Sequence, residues 1–430
     1  MAALGGRGHA RTAHPARASL NALAALHIGI PAYRERDWLP HTLASLAAQN
    51  DSGFVVWVCV NQPAEDFCDP SKREATGENL DLLAWLAQRR HDFPFKLIVL
   101  DAVRPGQAPP AKVAGVGWAR RHIFERVSES GSPDDLCISL DADTTVEPRY
   151  TESVRQAFAR HANAVALAAP YYHPLPEEPA LALALLRYEC FLRYYQLHLW
   201  RIGSPYAFLP IGSAMAFTLR AYRRIHGFPL RRAGEDFYFL QQMRKLGPVI
   251  RWIDARVFPA PRPSSRAPFG TGPLMAEPDL TVQEARFPFY GLHGFDLLGE
   301  TFHAFRELHK GPVRLPIQDF VEAQMGGCGV FDRMRRNFGD CGRFVKACHE
   351  KLDALRYLQF LRFHRERSGP EPTPSENLQA LLSSIGKPVR GIRFELDHLD
   401  ELAQTRDLLF LYESELQQRF MDRWDHRAQW

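Results

Sequence analysis

Two pairs of carboxylates are the residues here best suited to chemistry. Asp141 and Asp143 are spaced i and i+2 at the end of the apolar run in DLCISLDADTTVEP. On an extended backbone that spacing turns both side chains to one side. A hard divalent cation can then take oxygen ligands from one or both and hold a diphosphate on its remaining positions. Strand-end aspartates also cap following helices, so the spacing alone leaves both roles open. The second pair is Glu235-Asp236, which follows Gly234 and opens the helical pattern FYFLQQMRKLG. At a helix N-terminus the dipole holds a carboxylate charged and able to accept a proton. A plain helix cap is the alternative. Together the two pairs suit one reaction, in which a metal steadies a leaving nucleoside diphosphate while a carboxylate deprotonates an attacking hydroxyl.

Such groups need a frame that brings them together. From Leu26 to about Asp143, the apolar runs LHIGI, FVVWVCV, FKLIVL and DLCISL alternate with the amphipathic stretches WLPHTLASLAAQ, LDLLAWLAQRR and GVGWARRHIFERV. That alternation predicts repeated strand-helix units around a parallel sheet with both faces buried. Functional groups in such sheets gather beyond the carboxyl ends of the strands. Three of those ends carry Pro31 to Glu35, Val60 to Pro63, and Asp141 to Asp143, which predicts one shared crevice. Farther on, AVALAAP predicts a strand, and Pro179 to Trp200 predicts a long helix with an aromatic face (Tyr188, Phe191, Tyr194, Tyr195, Trp200) better suited to core packing than to a ligand. GSAMAFTLRAYRRIHGF predicts a strand feeding a helix, and Gly247 ends the helix that Glu235 begins. A long irregular loop rich in Pro, Arg and Ser is expected after Asp254, and helices with polar breaks from about Val282.

The 430 residues allow one large domain and a smaller one, and 46% hydrophobic content supplies a sizeable core. With 53 basic and 49 acidic residues the formal charge is +4, too balanced for a dedicated nucleic-acid binder. Seven cysteines without a paired framework suit reduced thiols in the cytoplasm. Residues 1–24 lack an apolar core and are expected to be a disordered lead-in. The most apolar helix is interrupted by Arg187, Glu189 and Arg193, so any membrane contact is expected to be peripheral.

The succession IPAYRERDWLPHTLASLAAQ, GVGWARRH, CISLDADTTVEPRY, GSAMAF and GEDFYFLQQMRKLG resembles the family 2 glycosyltransferases of the GT-A fold. The resemblance runs from about Leu26 to Gly272 and lies in the order and spacing of several motifs. It implies an α/β fold, a GT-A Rossmann-like mixed or parallel sheet flanked by helices over 25–275, with a mainly helical C-terminal extension over 276–430. It also implies Mn or Mg as cofactor, a nucleotide-diphosphate sugar as donor, and a carbohydrate or lipid-linked acceptor. Residue by residue, Pro31, Tyr33 and Glu35 match the start that lines the nucleotide-base pocket, with Arg34 replacing the family's Asn. Asn61 stands where an acidic residue usually reads the base. Lys112 and Arg120 fall in the segment that meets ribose or diphosphate, although a solvated helix face also suits Arg120. Asp141 and Asp143 match the metal-binding pair, and Asp141 the donor site as well. Asp236 matches the base of inverting members, with Glu235 beside it. Arg262 and Arg266 lie in a loop whose cations can close over a diphosphate.

Gln241-Gln242-Met243-Arg244-Lys245 only partly matches the motif of processive, membrane-embedded members, which disfavours that subclass. Cys328, Cys341, Cys348 and His349 lack a usual zinc spacing. Gly115-x-Gly117 lacks the rest of a dinucleotide fingerprint. A retaining transferase and a non-catalytic sugar-nucleotide-binding scaffold remain the alternatives at this stage.

Overall fold

The computed structural model describes residues 24–231, 233–263, 279–327, 329–369, 372–389, 394–395 and 397–422. The expected N-terminal lead-in, Arg266 and Cys328 lie outside the described residues, the first apart from residue 24. In chain order the strands are β1 (Leu26–Ala32), β2 (Phe54–Asn61), β3 (Lys96–Ala102), β4 (Leu136–Ser139), β5 (Thr144–Val146), β6 (Ala166–Ala168), β7 (Met215–Thr218), β8 (Val249–Ile250) and β9 (Val257–Pro259). The helices of the first half are α1 (Leu39–Ala47), α2 (Arg73–Arg89), α3 (Val116–Ser130), α4 (Tyr150–Arg160), α5 (Pro179–Arg201), α6 (Leu219–Arg224) and α7 (Glu235–Leu246). There follow α8 (Leu280–Arg286), α9 (Leu292–Lys310), α10 (Gln318–Gln324), α11 (Val330–Arg335), α12 (Cys341–Lys351), α13 (Ala354–Arg365), α14 (Pro374–Ser384) and α15 (Leu399–Asp422).

Seven strands form one mixed sheet in the order β3-β2-β1-β4-β7-β6-β8. The pairs among β3, β2, β1 and β4 are parallel, whereas β7 runs antiparallel to both β4 and β6. The sheet is therefore the expected α/β sheet flanked by helices, followed by a mainly helical C-terminal part. Three short strands were not expected: β8 at the edge of the large sheet, and β9, which lies at the start of the Pro- and Arg-rich loop and pairs with β5 in a small second sheet. A three-residue strand leaves too short an alternation to be read from sequence.

Burial on both faces explains the near-continuous apolar runs. Leu26, Ile28 and Ile30 of β1 join Val56 and Val58 of β2 against Leu43 of α1, Leu82 of α2 and Val154 of α4. On the other face Gly29 lies under α3, where an added Cβ would come within 2.6 Å of Phe124 Cζ. That second face belongs to a single apolar cluster running through α3, α5 and α7 into the C-terminal helices, with Phe295 of α9 and Leu409 of α15 among its members.

Most of the aromatic face of α5 is core, as its spacing suggested: Phe191 and Tyr194 are buried and Tyr195 and Trp200 pack against the cluster, whereas Tyr188 lines a cavity. Tyr194 is fully buried and its hydroxyl donates to the Tyr290 carbonyl, while His198 stacks on Phe295 at 3.9 Å. The charges that interrupt α5 are buried too. Arg193 is paired with Glu189 one turn away and with Glu413 of α15, donates to the Tyr171 carbonyl at 2.8 Å, and lies over the Tyr171 and Phe410 rings. They clamp the last helix to the sheet-bearing half. Among the described residues, no helix is long and apolar enough to cross a membrane. Arg193→Met removes the cation between two buried carboxylates and is expected to lower stability by about 3–5 kcal/mol in urea denaturation. A loss near zero would show that α15 is held by apolar packing alone.

Candidate functional site

The parallel strands β1, β2 and β4 end at the same edge of the sheet, so Pro31 to Glu35, Asn61 and Asp141 to Asp143 share it as expected. The aspartates, however, are not in extended backbone. β4 stops at Ser139, and Asp141 to Asp143 form a turn leading into β5, with Thr144 N–H donating to the Asp141 carbonyl at 3.2 Å. Thr42 of α1 fixes that turn by donating Oγ1 to the Ala142 carbonyl at 2.8 Å. The two carboxylates therefore meet different cations. Asp141 accepts from Arg120 Nη2 at 2.5 Å, and Asp143 accepts from Arg262 Nε at 2.7 Å.

Arg120 is the centre of the site. It projects from α3 as a buried side chain rather than from a solvated helix face, and its Nη1 donates to Glu235 at the start of α7. Two glycines permit this. Gly115, just before α3, has φ 137°, a conformation that L side chains rarely adopt. Gly117 lies one turn before Arg120 on the same face, and a Cβ there would stand 2.8 Å from the carbonyl oxygens of Pro229 and Arg231. The loop before α7 thus packs directly on α3. Gly117, which lacks the rest of a nucleotide fingerprint, is a close-packing residue that brings Glu235 to Arg120.

Gly234, with φ 71°, occupies the cap position of α7, which leaves Glu235 and Asp236 in the first turn instead of capping it. Burial raises the Glu235 carboxyl to about 7, with Arg120 opposing and Asp236 adding to the rise. Burial likewise raises Asp236, again opposed by Arg120. Asp236 is only half-buried, and its Oδ1 accepts from the Phe237 amide at 2.7 Å. Of the pair, Glu235 is the one engaged by Arg120 and Asp236 is the carboxyl nearer to solvent.

On the other side, Arg262 reaches from just past β9, donating Nη2 to both oxygens of buried Glu35 at 2.6 and 2.7 Å while its Nε holds Asp143. Its guanidinium also lies over the Trp38 ring at 5.1 Å. The β5–β9 pairing carries it there, since Ala260 N–H donates to the Asp143 carbonyl at 3.0 Å. Pro31 is buried and Tyr33 half-buried at the end of β1. Asn61 is buried, with its amide nitrogen donating to the Ala32 carbonyl at 3.0 Å. Lys112 is exposed. Arg34 is left-handed at φ 58°, a conformation that Asn tolerates better than Arg. Its side chain turns away to Glu78 of α2 at 2.7 and 2.9 Å, and its amide donates to Asn79 Oδ1. Cys348 and His349 are core, the imidazole packing on Phe302 and Phe305.

Asp141 and Asp143 offer hard carboxylate oxygens, the donor chemistry that Mg and Mn take. Among the described residues, neither belongs to a group of three His, Cys, Asp or Glu at metal-binding spacing, and each is engaged by a different arginine, so further ligands would have to come from a substrate or water. The donor set fits a cation held jointly with a diphosphate.

No protein-family model matches the chain, and no curated protein matches it in sequence. Among solved structures it is similar to S. aureus TarS 1–349 in complex with UDP-GlcNAc, with 13% identity over 93% of this chain and 90% of that one and a TM-score of 0.40. It is also similar to the mannosyltransferase PcManGT from Pyrobaculum calidifontis in complex with GDP-Man and Mn2+, with 13% identity over 90% and 87% of the two chains and a TM-score of 0.35. Likenesses at that level carry no argument about activity.

The raised Glu235 carboxyl makes stability depend on pH. Its folded value of about 7 lies above an unfolded value of about 4.3, so between them the folded protein binds the proton more tightly than the unfolded chain. Its contribution is full below the unfolded value and is lost as pH rises through the folded one. Glu235→Gln is expected to remove that slope, so thermal melts should move in the variant's favour, relative to the unaltered protein, between about pH 5 and about pH 8. A constant difference would mean that Glu235 is charged throughout.

Proposed function

We propose that the chain is a GT-A glycosyltransferase of the family 2 type, moving a sugar from a nucleotide-diphosphate donor to an acceptor hydroxyl with inversion. One observation carries the reading: Arg120 binds Asp141 at the end of β4 and Glu235 at the start of α7, so the two carboxylate pairs of the sequence belong to one site. A buried cation fixing one member of each pair sets their separation.

The donor side is the sheet edge. With its amide nitrogen engaged by Ala32, Asn61 presents its carbonyl oxygen, which suits recognition of a base N–H. Pro31, Tyr33 and Glu35 complete that side, with Lys112 and Arg266 as candidate phosphate contacts. A divalent cation bound by Asp143 and Asp141 would neutralise charge on the departing diphosphate. Asp236 acts as the base: its carboxylate takes the proton of the acceptor hydroxyl, the oxygen bonds to the anomeric carbon, and the bond from that carbon to the diphosphate breaks. Glu235, held by Arg120, positions the first turn of α7 and hence Asp236. In this reading 25–275 carries the donor site and 276–430 contributes to the acceptor side, in a cytoplasmic enzyme.

Donor identity is read from thermal melts against UDP-, GDP- and dTDP-sugars with and without Mn, because a ligand of the native state raises its melting point. Asp143→Ala is expected to abolish the Mn-dependent part of the shift. Asp236→Asn should keep the shift and lose about 100- to 10,000-fold in kcat. Normal turnover in Asp236→Asn, or a product of retained anomeric configuration by proton NMR, would remove Asp236 as the base.

A further inference from the structure

Each aspartate of the turn after β4 is held by its own arginine, and the two contacts differ in depth. The Arg120 side chain is 3% exposed and projects from α3 into the interior, where Glu235 of α7 takes its other end. The Arg262 side chain is 17% exposed and reaches in from the segment just past β9. Its fork is divided between two carboxylates, with Nη2 on both oxygens of Glu35 and Nε on one oxygen of Asp143. The segment itself is held by its backbone. Ala260 N–H donates to the Asp143 carbonyl and Arg262 N–H to the Ala260 carbonyl, both at 3.0 Å, so neither contact needs the guanidinium.

The two ends of that fork are not equal. The Glu35 side chain is only 6% exposed and accepts through both oxygens, and separating a cation from a carboxylate that dry is costly. The Trp38 ring under the guanidinium adds to its hold on that side. Asp143 is 20% exposed and accepts from Nε through one oxygen, so water or another cation can replace that hydrogen bond. Of the two arginine–aspartate contacts at the turn, the one between Arg262 and Asp143 is therefore the one that can yield.

We propose that Arg262 is a built-in competitor for the metal: its guanidinium and a divalent cation contend for Asp143, so that metal uptake depends on an anion able to take the guanidinium over. The proposal rests on the metal-and-diphosphate site of the transferase reading above. A guanidinium and a divalent ion on one carboxylate repel each other, and the repulsion is strong where little water screens it. Diphosphate oxygens relieve it, because they accept from a guanidinium while ligating a hard cation. Arg262 thereby couples the two ligands: a divalent ion alone is resisted, and one accompanied by a nucleoside diphosphate is accepted.

The test measures binding of Mn to the full chain by electron paramagnetic resonance of the unbound ion, first with Mn alone and then with UDP or GDP. Arg262→Gln is expected to bind Mn alone on the order of tenfold more tightly than the unaltered protein, a coupling of ordinary size. Arg262→Lys keeps the charge and should stay close to the unaltered protein. Asp143→Ala in the Arg262→Gln background should lose the gain, which assigns the ion to this carboxylate. Thermal melts check that each variant is folded. Should Arg262→Gln unfold through Glu35, the same gain is read in Arg262→Gln with Glu35→Gln, compared with Glu35→Gln alone. UDP or GDP should raise Mn affinity more in the unaltered protein than in Arg262→Gln. The proposal is overturned if Arg262→Gln binds Mn no more tightly than the unaltered protein, as when Arg262 merely orients Asp143, if the gain survives Asp143→Ala, or if nucleotide raises both proteins equally. No rise with nucleotide in either protein, beside an intact gain with Mn alone, upholds the competition and counts against the donor reading instead.

Discussion

Arg120 is a buried guanidinium answered by two carboxylates, and the arrangement of the site follows from that contact. Desolvating the cation is costly, and only close, well-directed acceptors offset the loss. Asp141 and Glu235 supply them from elements that share no local sequence. Because the contacts are directional, the end of β4 and the first turn of α7 are held in register through α3. The glycines at 115 and 117 are subordinate to that need: they let α3 begin where it does and let the loop before α7 approach it. A second arginine repeats the logic at the other aspartate, with Arg262 bridging Glu35 and Asp143. The crevice is thus bounded by two cation-centred contacts, one deep and one nearer the surface.

Much of this was legible before any coordinates. The strands of the first half announce themselves as apolar runs because helices cover both faces, and the C-terminal edge follows from parallel pairing. The Glu235-Asp236 helix start was legible from the preceding glycine and the apolar pattern behind it. What stayed hidden were choices of partner over long separations. Nothing local in the chain says that Arg120 points inward, although Gly117 and Arg120 on one helical face is a signal that a neighbour approaches closely there. The aspartates were misplaced in backbone conformation, since an apolar run gives no mark of where the extended chain turns. Arg34 shows a different limit. Its left-handed backbone position is held by Glu78 and Asn79 of α2, and those partners lie far along the chain.

The helix α5 links the two halves of the molecule. Its middle packs into the apolar cluster under the sheet, Arg193 engages α15, and Tyr188 lines a cavity completed by α8 and by the segment before α14. The C-terminal helices are therefore continuous with the core instead of being appended to it.

The Arg193–Glu413 contact spans 220 residues of chain. At a synthesis rate of about 5–20 residues per second, on the order of ten to forty seconds separates the emergence of the two partners from the ribosome. During that interval α5 carries a cation meant for a dry interior with one of its two carboxylates not yet made.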